Sequence, residues 1–220
     1  MNRLLIATTN EGKVAELKRL LEGLDLELSS LDQLEETPPP VEETGQTFAE
    51  NALLKARYYF ERTGIPTLAD DSGLEVDALG GRPGIHSARY GGQGLSVAER
   101  NSLLLDEMSG VPTEDRGARF VCVLALANRT MVKTFDGYCE GEIAQTSIGT
   151  DGFGYDPVFI ITGTGQSFGT MSSAEKNRLS HRGKALEKLR KFLLTGEWDA
   201  SITEQIELVE REETTSILPL

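Results

Sequence analysis

A short apolar run from Ile65 to Ala69 stops at two adjacent carboxylates, Asp70 and Asp71. Ser72 and Gly73 follow, a pair that favours a turn. The pattern predicts a strand with both acids at its C-terminal end, the edge where open α/β sheets hold their ligands. Two acids side by side repel, so one must be neutral, hydrogen-bonded or neutralised by a cation. A hard divalent metal keeps both ionised. Taken alone, these four residues read more simply as a solvated turn that closes a strand. Five glycines, one proline and two arginines between Ser72 and Gly91 shift that balance, because a plain connection has little need of so much special backbone geometry.

The chain has 220 residues, enough to bury a substantial core as one large or two small domains. A hydrophobic content of 39% and a charged content of 26% are ordinary for a soluble globular protein. No apolar run approaches the length of a membrane span. The opening Met-Asn-Arg-Leu-Leu-Ile passes directly into a strand pattern without signal-peptide architecture, so a cytoplasmic chain is expected. The net charge of −13 argues against nucleic acid as a partner. Much of that charge is local: residues 195–220 hold seven acids and one arginine, and residues 31–50 hold six acids and no base. Basic residues elsewhere remain free to form a phosphate pocket. Cys122 reads as a small buried hydrophobe, and a turn near Asn128-Arg129 would put it opposite the region of Asp136 rather than Cys139. No disulfide is expected, and no CxxC pair is present.

Periodicity predicts strands at Arg3–Thr8, Leu24–Leu28 and Pro66–Ala69, with a helix over Glu11–Leu21. Capping boxes at Thr47-Phe48-Ala49-Glu50 and Ser96-Val97-Ala98-Glu99 open helices to about Arg62 and Met108. Arg119–Ala127 and Met131–Glu142 read as long antiparallel strands, Phe159–Ile161 as a short one, and Ser180 as the cap of a last helix to Leu194. The expected architecture is α/β: a two-lobed single chain with a long mixed β-sheet flanked by helices and a central substrate cleft.

Four segments carry candidate chemistry. Thr8-Thr9-Asn10-Glu11-Gly12-Lys13 joins a strand to a helix start, where amides, hydroxyls and the Lys13 ammonium can meet an anion. It lacks the glycine spacing of a P-loop, and ordinary N-capping explains it as well. Glu42, Glu43 and Glu50 lie where a carboxylate could join Asp71 on a metal, although Glu50 is at least as well explained as a capping residue. Asn51 and Lys55, one turn apart, could face the cleft. Gly152-Phe153-Gly154-Tyr155-Asp156 exposes an aromatic on a tightly turned backbone, as a planar ligand would need. Lys176 precedes Ser180-His181-Arg182, where an arginine fork stands at a helix start.

Together, Thr8-Thr9-Asn10-x-x-Lys13, Phe48-x-Glu50-Asn51-Ala52, Asp70-Asp71-Ser72-Gly73-Leu74, Ser87-Ala88-Arg89-Tyr90, Gly152 to Pro157 and Ser180-His181-Arg182-Gly183 resemble the Ham1/RdgB family of inosine triphosphate (dITP/XTP) pyrophosphatases. The likeness runs in order from about residue 3 to 194, which sets a domain at 1–194 and an acidic extension at 195–220. It implies hydrolysis of ITP, dITP and XTP to the monophosphate and pyrophosphate, with Mg²⁺, in a homodimer. By position, Thr8, Thr9, Asn10, Glu11, Gly12 and Lys13 correspond to the phosphate loop. Asp71 corresponds to the proton acceptor and metal ligand. Glu42 corresponds to the second metal-linked acid, with Glu43 beside it as the alternative. Ser72, Phe153, Gly154, Tyr155, Asp156, Lys176, His181 and Arg182 correspond to substrate-binding positions. His86 has no assigned role.

The implied mechanism has Lys13 and the helix amides holding phosphate oxygens while Asp71 orients or deprotonates a water that attacks the α-phosphorus. Arg182, a charged His181 or a backbone N–H would pair with the C6 keto oxygen and reject the amino group of ATP. Two rivals remain. One is a pyrophosphatase for methylated or pyrimidine triphosphates on a similar fold. The other is a nucleotide-sensing module without catalysis.

Overall fold

The first strand, β1 (Asn2–Ala7), lies near one side of a six-stranded sheet in the order β2-β1-β3-β4-β5-β6. The computed structural model describes residues 2–198. The expected acidic extension lies outside the described residues from position 199 onward. Helix α1 (Glu11–Leu20) leads to β2 (Leu26–Ser30), and α2 (Phe48–Thr63) leads to β3 (Thr67–Val76). Both β2 and β3 pair with β1 in parallel, on opposite sides of it. After α3 (Val97–Glu107) the chain turns antiparallel through β4 (Gly117–Ala127), β5 (Val132–Ile143) and β6 (Phe159–Ile161). Helices α4 (Ser173–Leu179) and α5 (His181–Leu193) close the described chain. The mixed sheet and flanking helices match the sequence expectation. Helix α4 was not expected as a helix, although Ser172 and Glu175 form a complete capping box at its start.

One expectation is corrected. Asp70 and Asp71 do not end a strand, and Ser72-Gly73 is not a turn. β3 continues to Val76, with Asp70 opposite Leu124, Asp71 opposite Val123 and Gly73 opposite Val121. The reason is tertiary: β4 offers an unbroken apolar partner whose ladder satisfies the backbone through the acidic residues. Gly73 is required here for space. A Cβ would collide with Ser87 Oγ and the Gly84 carbonyl of the 3₁₀ segment Gly84–Arg89, which lies directly on the strand.

Alternation along β3 sends the two acids to opposite faces. Leu68 packs into a core with Leu4, Leu17 and Leu186 of β1, α1 and α5, whereas Ala69 joins Ala52 and Ala56 of α2 on the other face. Farther along, Leu74 and Val76 enter a separate core with Leu104, Phe159 and Phe168. β3 therefore passes from one lobe to the other. β1 pairs with it only as far as Ala69, so the strand's edge beyond that point faces a gap between the lobes. The gap lies where the parallel strands diverge, the switch point at which such sheets bind ligands.

Cys122 lies opposite Gly137, next to the expected Asp136, and Cys139 lies opposite Phe120; both thiols are free. Trp198 is buried in the core beneath α5, and its carbonyl accepts a hydrogen bond from Asn128 Nδ2.

Candidate active site

The gap is a cleft of about 560 Å³, within the size range of small-molecule sites. One wall is the β1–α1 turn. Asn10 caps α1, its Oδ1 accepting from Lys13 N at 3.1 Å, and Thr8 Oγ1 accepts from Asn10 N at 3.2 Å. Thr8, Thr9, Asn10, Gly12 and Lys13 line the cleft, whereas Glu11 points to solvent and does not.

Asp70 and Asp71 line its floor and have opposite surroundings. Asp70 is fully buried and saturated. It accepts from Lys13 Nζ, Arg182 Nε at 2.9 Å and Ser72 Oγ at 2.9 Å, with Cys122 Sγ at 3.4 Å. Burial alone would raise its pKa, but the Arg182 and Lys13 charges and their hydrogen bonds outweigh that and hold it well below the usual carboxylate range. Asp71 accepts only from Lys55 Nζ, at 2.8 Å on Oδ1, and its buried Oδ2 has no protein partner among the described residues. Burial pushes the Asp71 pKa up, against the pull of Lys55. Lys55 is itself buried, but Asp71 and Glu43 more than offset that and keep it protonated. The mutual repulsion expected from their adjacency is avoided because the strand separates the two acids and each has its own cation.

Glu42 and Glu43 have different surroundings. Glu43 lines the cleft and reaches Lys55 at 3.3 Å and Arg89 at 3.9 Å, whereas Glu42 faces solvent. Glu50 is confirmed as a capping residue, its carboxylate accepting from Gln46 N and Thr47 N. No cluster of three or more His, Cys, Asp or Glu able to hold a metal occurs among the described residues. The unpartnered Asp71 Oδ2 and the nearby Glu43 are nevertheless hard oxygen donors, and Mg²⁺ is usually held by one or two carboxylates plus substrate phosphates. The residues present fit such an ion.

The opposite wall is held by a chain of buried ion pairs. Glu16 joins Arg182 at 2.6 Å to Lys176 at 3.3 Å, and Lys176 pairs with Asp156 at 2.6 Å. Asp156 Oδ2 in turn accepts from Phe153 N at 2.7 Å. Phe153 is half-buried at the cleft, with the Lys176 ammonium 4.2 Å from its ring centroid. Gly152 and Gly154 hold φ of +78° and +63°, left-handed geometry that explains the glycines flanking Phe153. Tyr155 is buried, and its hydroxyl donates to the Ser87 carbonyl at 2.9 Å.

Two expectations for the base edge change. His181 lines the cleft in surroundings that disfavour the charged form expected above. It is buried and stacked on Phe120 at 4.7 Å, and burial with the neighbouring Arg182 charge pulls its pKa well below the usual histidine range. Arg182 is fully buried, and three of its five N–H donors are engaged by Asp70, Glu16 and Ser72. It acts first as a brace between α5, β3 and α1. Sequence reasoning missed Glu16 and the anchoring role of Asp70. A signal for Glu16 was available: it stands one turn after Lys13, beside the buried Leu17.

The Ham1 family model matches residues 4–192. A dITP/XTP pyrophosphatase of Bacillus licheniformis is 48% identical over 88% of this chain and 98% of its own. One from Thermus thermophilus is 49% identical over 85% of this chain and 89% of its own. The solved HAM1 protein of Coxiella burnetii superposes with a TM-score of 0.82 at 39% identity, covering 89% of this chain and all of that one. A solved nucleoside-triphosphatase / dITP/XTP pyrophosphatase from Mycobacterium abscessus gives 0.71 at 42% identity, covering 85% and 98%.

Proposed function

The chain belongs to the Ham1 family, and from that premise we propose that its cleft hydrolyses the non-standard purine nucleotides ITP, dITP and XTP to the nucleoside monophosphate and pyrophosphate. The observation that carries this reading is the division of labour between Asp70 and Asp71. One carboxylate is saturated by Lys13, Arg182 and Ser72, while the other lines the cleft, is raised in pKa by burial and keeps one oxygen without a protein partner among the described residues. A general base needs the second arrangement.

In this reading the α1 amides and Lys13 hold phosphate oxygens, and Asp71 orients and deprotonates the water that attacks the α-phosphorus. Lys55 fixes the Asp71 carboxylate through Oδ1 and leaves Oδ2 to meet the water. Lys13 and Arg89 both line the cleft, where their charges would meet the departing pyrophosphate. Asp71 and Glu43 would hold Mg²⁺, which when bound neutralises polyphosphate charge and makes water more acidic. Glu43→Gln is therefore expected to raise the Mg²⁺ concentration for half-maximal rate about tenfold. Glu42→Gln should leave it within twofold, as magnesium titrations of the rate will check.

Phe153, half-buried at the cleft, supplies the stacking face for the base in this reading. Stacking of this kind contributes about 1–3 kcal/mol, so Phe153→Ala should raise KM for ITP and XTP roughly tenfold with kcat nearly kept. Steady-state kinetics on both substrates measures the split. Loss of the folded state instead would make Phe153 a core residue.

The same resemblance supports a homodimer in the cytoplasm, with residues 1–194 as the catalytic domain and 195–220 as an acidic extension; sedimentation tests the dimer. No helix among the described residues is long and apolar enough to cross a membrane.

A pyrophosphatase-coupled phosphate-release assay over a triphosphate panel tests the function. Turnover of ITP, dITP and XTP well above ATP, GTP and the pyrimidine triphosphates is expected. Preference for pyrimidine or methylated substrates, or binding without turnover, would replace this reading with one of its rivals.

A further inference from the structure

Asn101 has no part in the reading above, yet it touches the loop that presents the aromatic ring. It lies on the buried face of α3, three and seven residues before Leu104 and Met108, both fully buried in the second lobe's core. That spacing calls for an apolar side chain. Asn101 is instead a polar residue only 5% exposed. Its Nδ2 donates to the Gly154 carbonyl at 3.1 Å, and its Oδ1 is buried without a partner among the described residues. A carbonyl can only accept, so the amide must turn its NH₂ to Gly154 and leave its own oxygen unpaired. Leaving a buried oxygen unmatched is unfavourable, and the compensation visible here is the bond to the loop.

That bond completes the fixing of Phe153. On its N-terminal side, the Phe153 N–H donates to Asp156 Oδ2 at 2.7 Å. On its C-terminal side the Gly154 carbonyl is held by Asn101. Gly154 has φ +63° and open space where a Cβ would be, so it has no side chain of its own to anchor it. The support comes from α3, whose first turn is rigidified by a reciprocal capping box between Ser96 and Glu99.

We propose that Asn101 is a positioning residue for base recognition: through the Gly154 carbonyl it sets the plane of Phe153 and so governs affinity for the purine while leaving the phosphate subsite unaffected. The inference rests on the reading of Phe153 as the stacking face.

Asn101→Leu keeps the branched shape with a modest gain in volume and removes the donor; Asn101→Ser, too short to reach Gly154, serves as a second variant if the first fails to fold. The measurements are KM and kcat for ITP, and the inhibition constant of inorganic pyrophosphate, which carries no base. KM for ITP should rise about tenfold with kcat within threefold of wild type and pyrophosphate inhibition unchanged. An unchanged KM in a folded variant overturns the proposal, as does an equal weakening of ITP and pyrophosphate, which would mark a general structural role. Failure of the wild-type protein to turn over ITP would overturn the underlying functional reading, and the proposal with it.

Discussion

Asp71→Asn is expected to lower kcat for ITP by about 10²–10⁴-fold, the scale of a general base, while KM changes little. The amide oxygen still accepts from Lys55, and Glu43 still balances that ammonium, so the variant should fold. What it loses is the basic carboxylate oxygen on the side that has no protein partner. Burial raises the pKa of Asp71 and offsets much of what its charge contributes, while Glu43 remains beside Lys55, so the urea midpoint should fall by less than in Asp70→Asn. Residual turnover within a few-fold of wild type at saturating Mg²⁺ would remove Asp71 from the mechanism.

Asp70→Asn should have the opposite profile, with its largest effect on the fold. Asp70 is the common acceptor for Arg182, Lys13 and Ser72 at the centre of the molecule. Removing one partner of a buried ion pair costs about 3–5 kcal/mol because the other charge stays buried and uncompensated. Glu16 retains part of Arg182, so the lower end of that range is expected, read as a shift in the urea midpoint. The pH dependence follows from the direction of the shift. The folded-state pKa lies well below the unfolded value of about 3.9. The contribution of Asp70 is therefore fully present above about pH 4 and is lost as pH falls through the folded value. The Asp70→Asn variant should lack that part of the acid-unfolding profile. If its stability and acid transition match wild type, Asp70 is not the anchor described here.

The contrast between these neighbours shows where sequence reasoning stopped. Asp-Asp-Ser-Gly marked the place but misassigned its geometry, because turn propensity at Ser72-Gly73 was overridden by ten consecutive ladder pairs with β4. Once the residues belong to a strand, alternation separates the acids, a consequence that required the strand's true end to be known. Charge states at the base wall were equally out of reach. His181 and Arg182 are adjacent in sequence, but burial pulls the pKa of one down while ion pairs push that of the other up.

What the sequence determined by itself was whatever depends on short range and order. Capping boxes placed α2 and α3, periodicity placed the long β4–β5 pair, and six ordered motifs identified the family and hence the reaction. Only the tertiary structure decided which of Glu42 and Glu43 faces the cleft, that Glu16 links Arg182 to Lys176, and that Asn101 reaches the Phe153 loop from α3. The partners in the last two contacts are separated by 160 or more residues and by 53 residues respectively, and burial and electrostatic pairing arise only when packing brings such distant segments together.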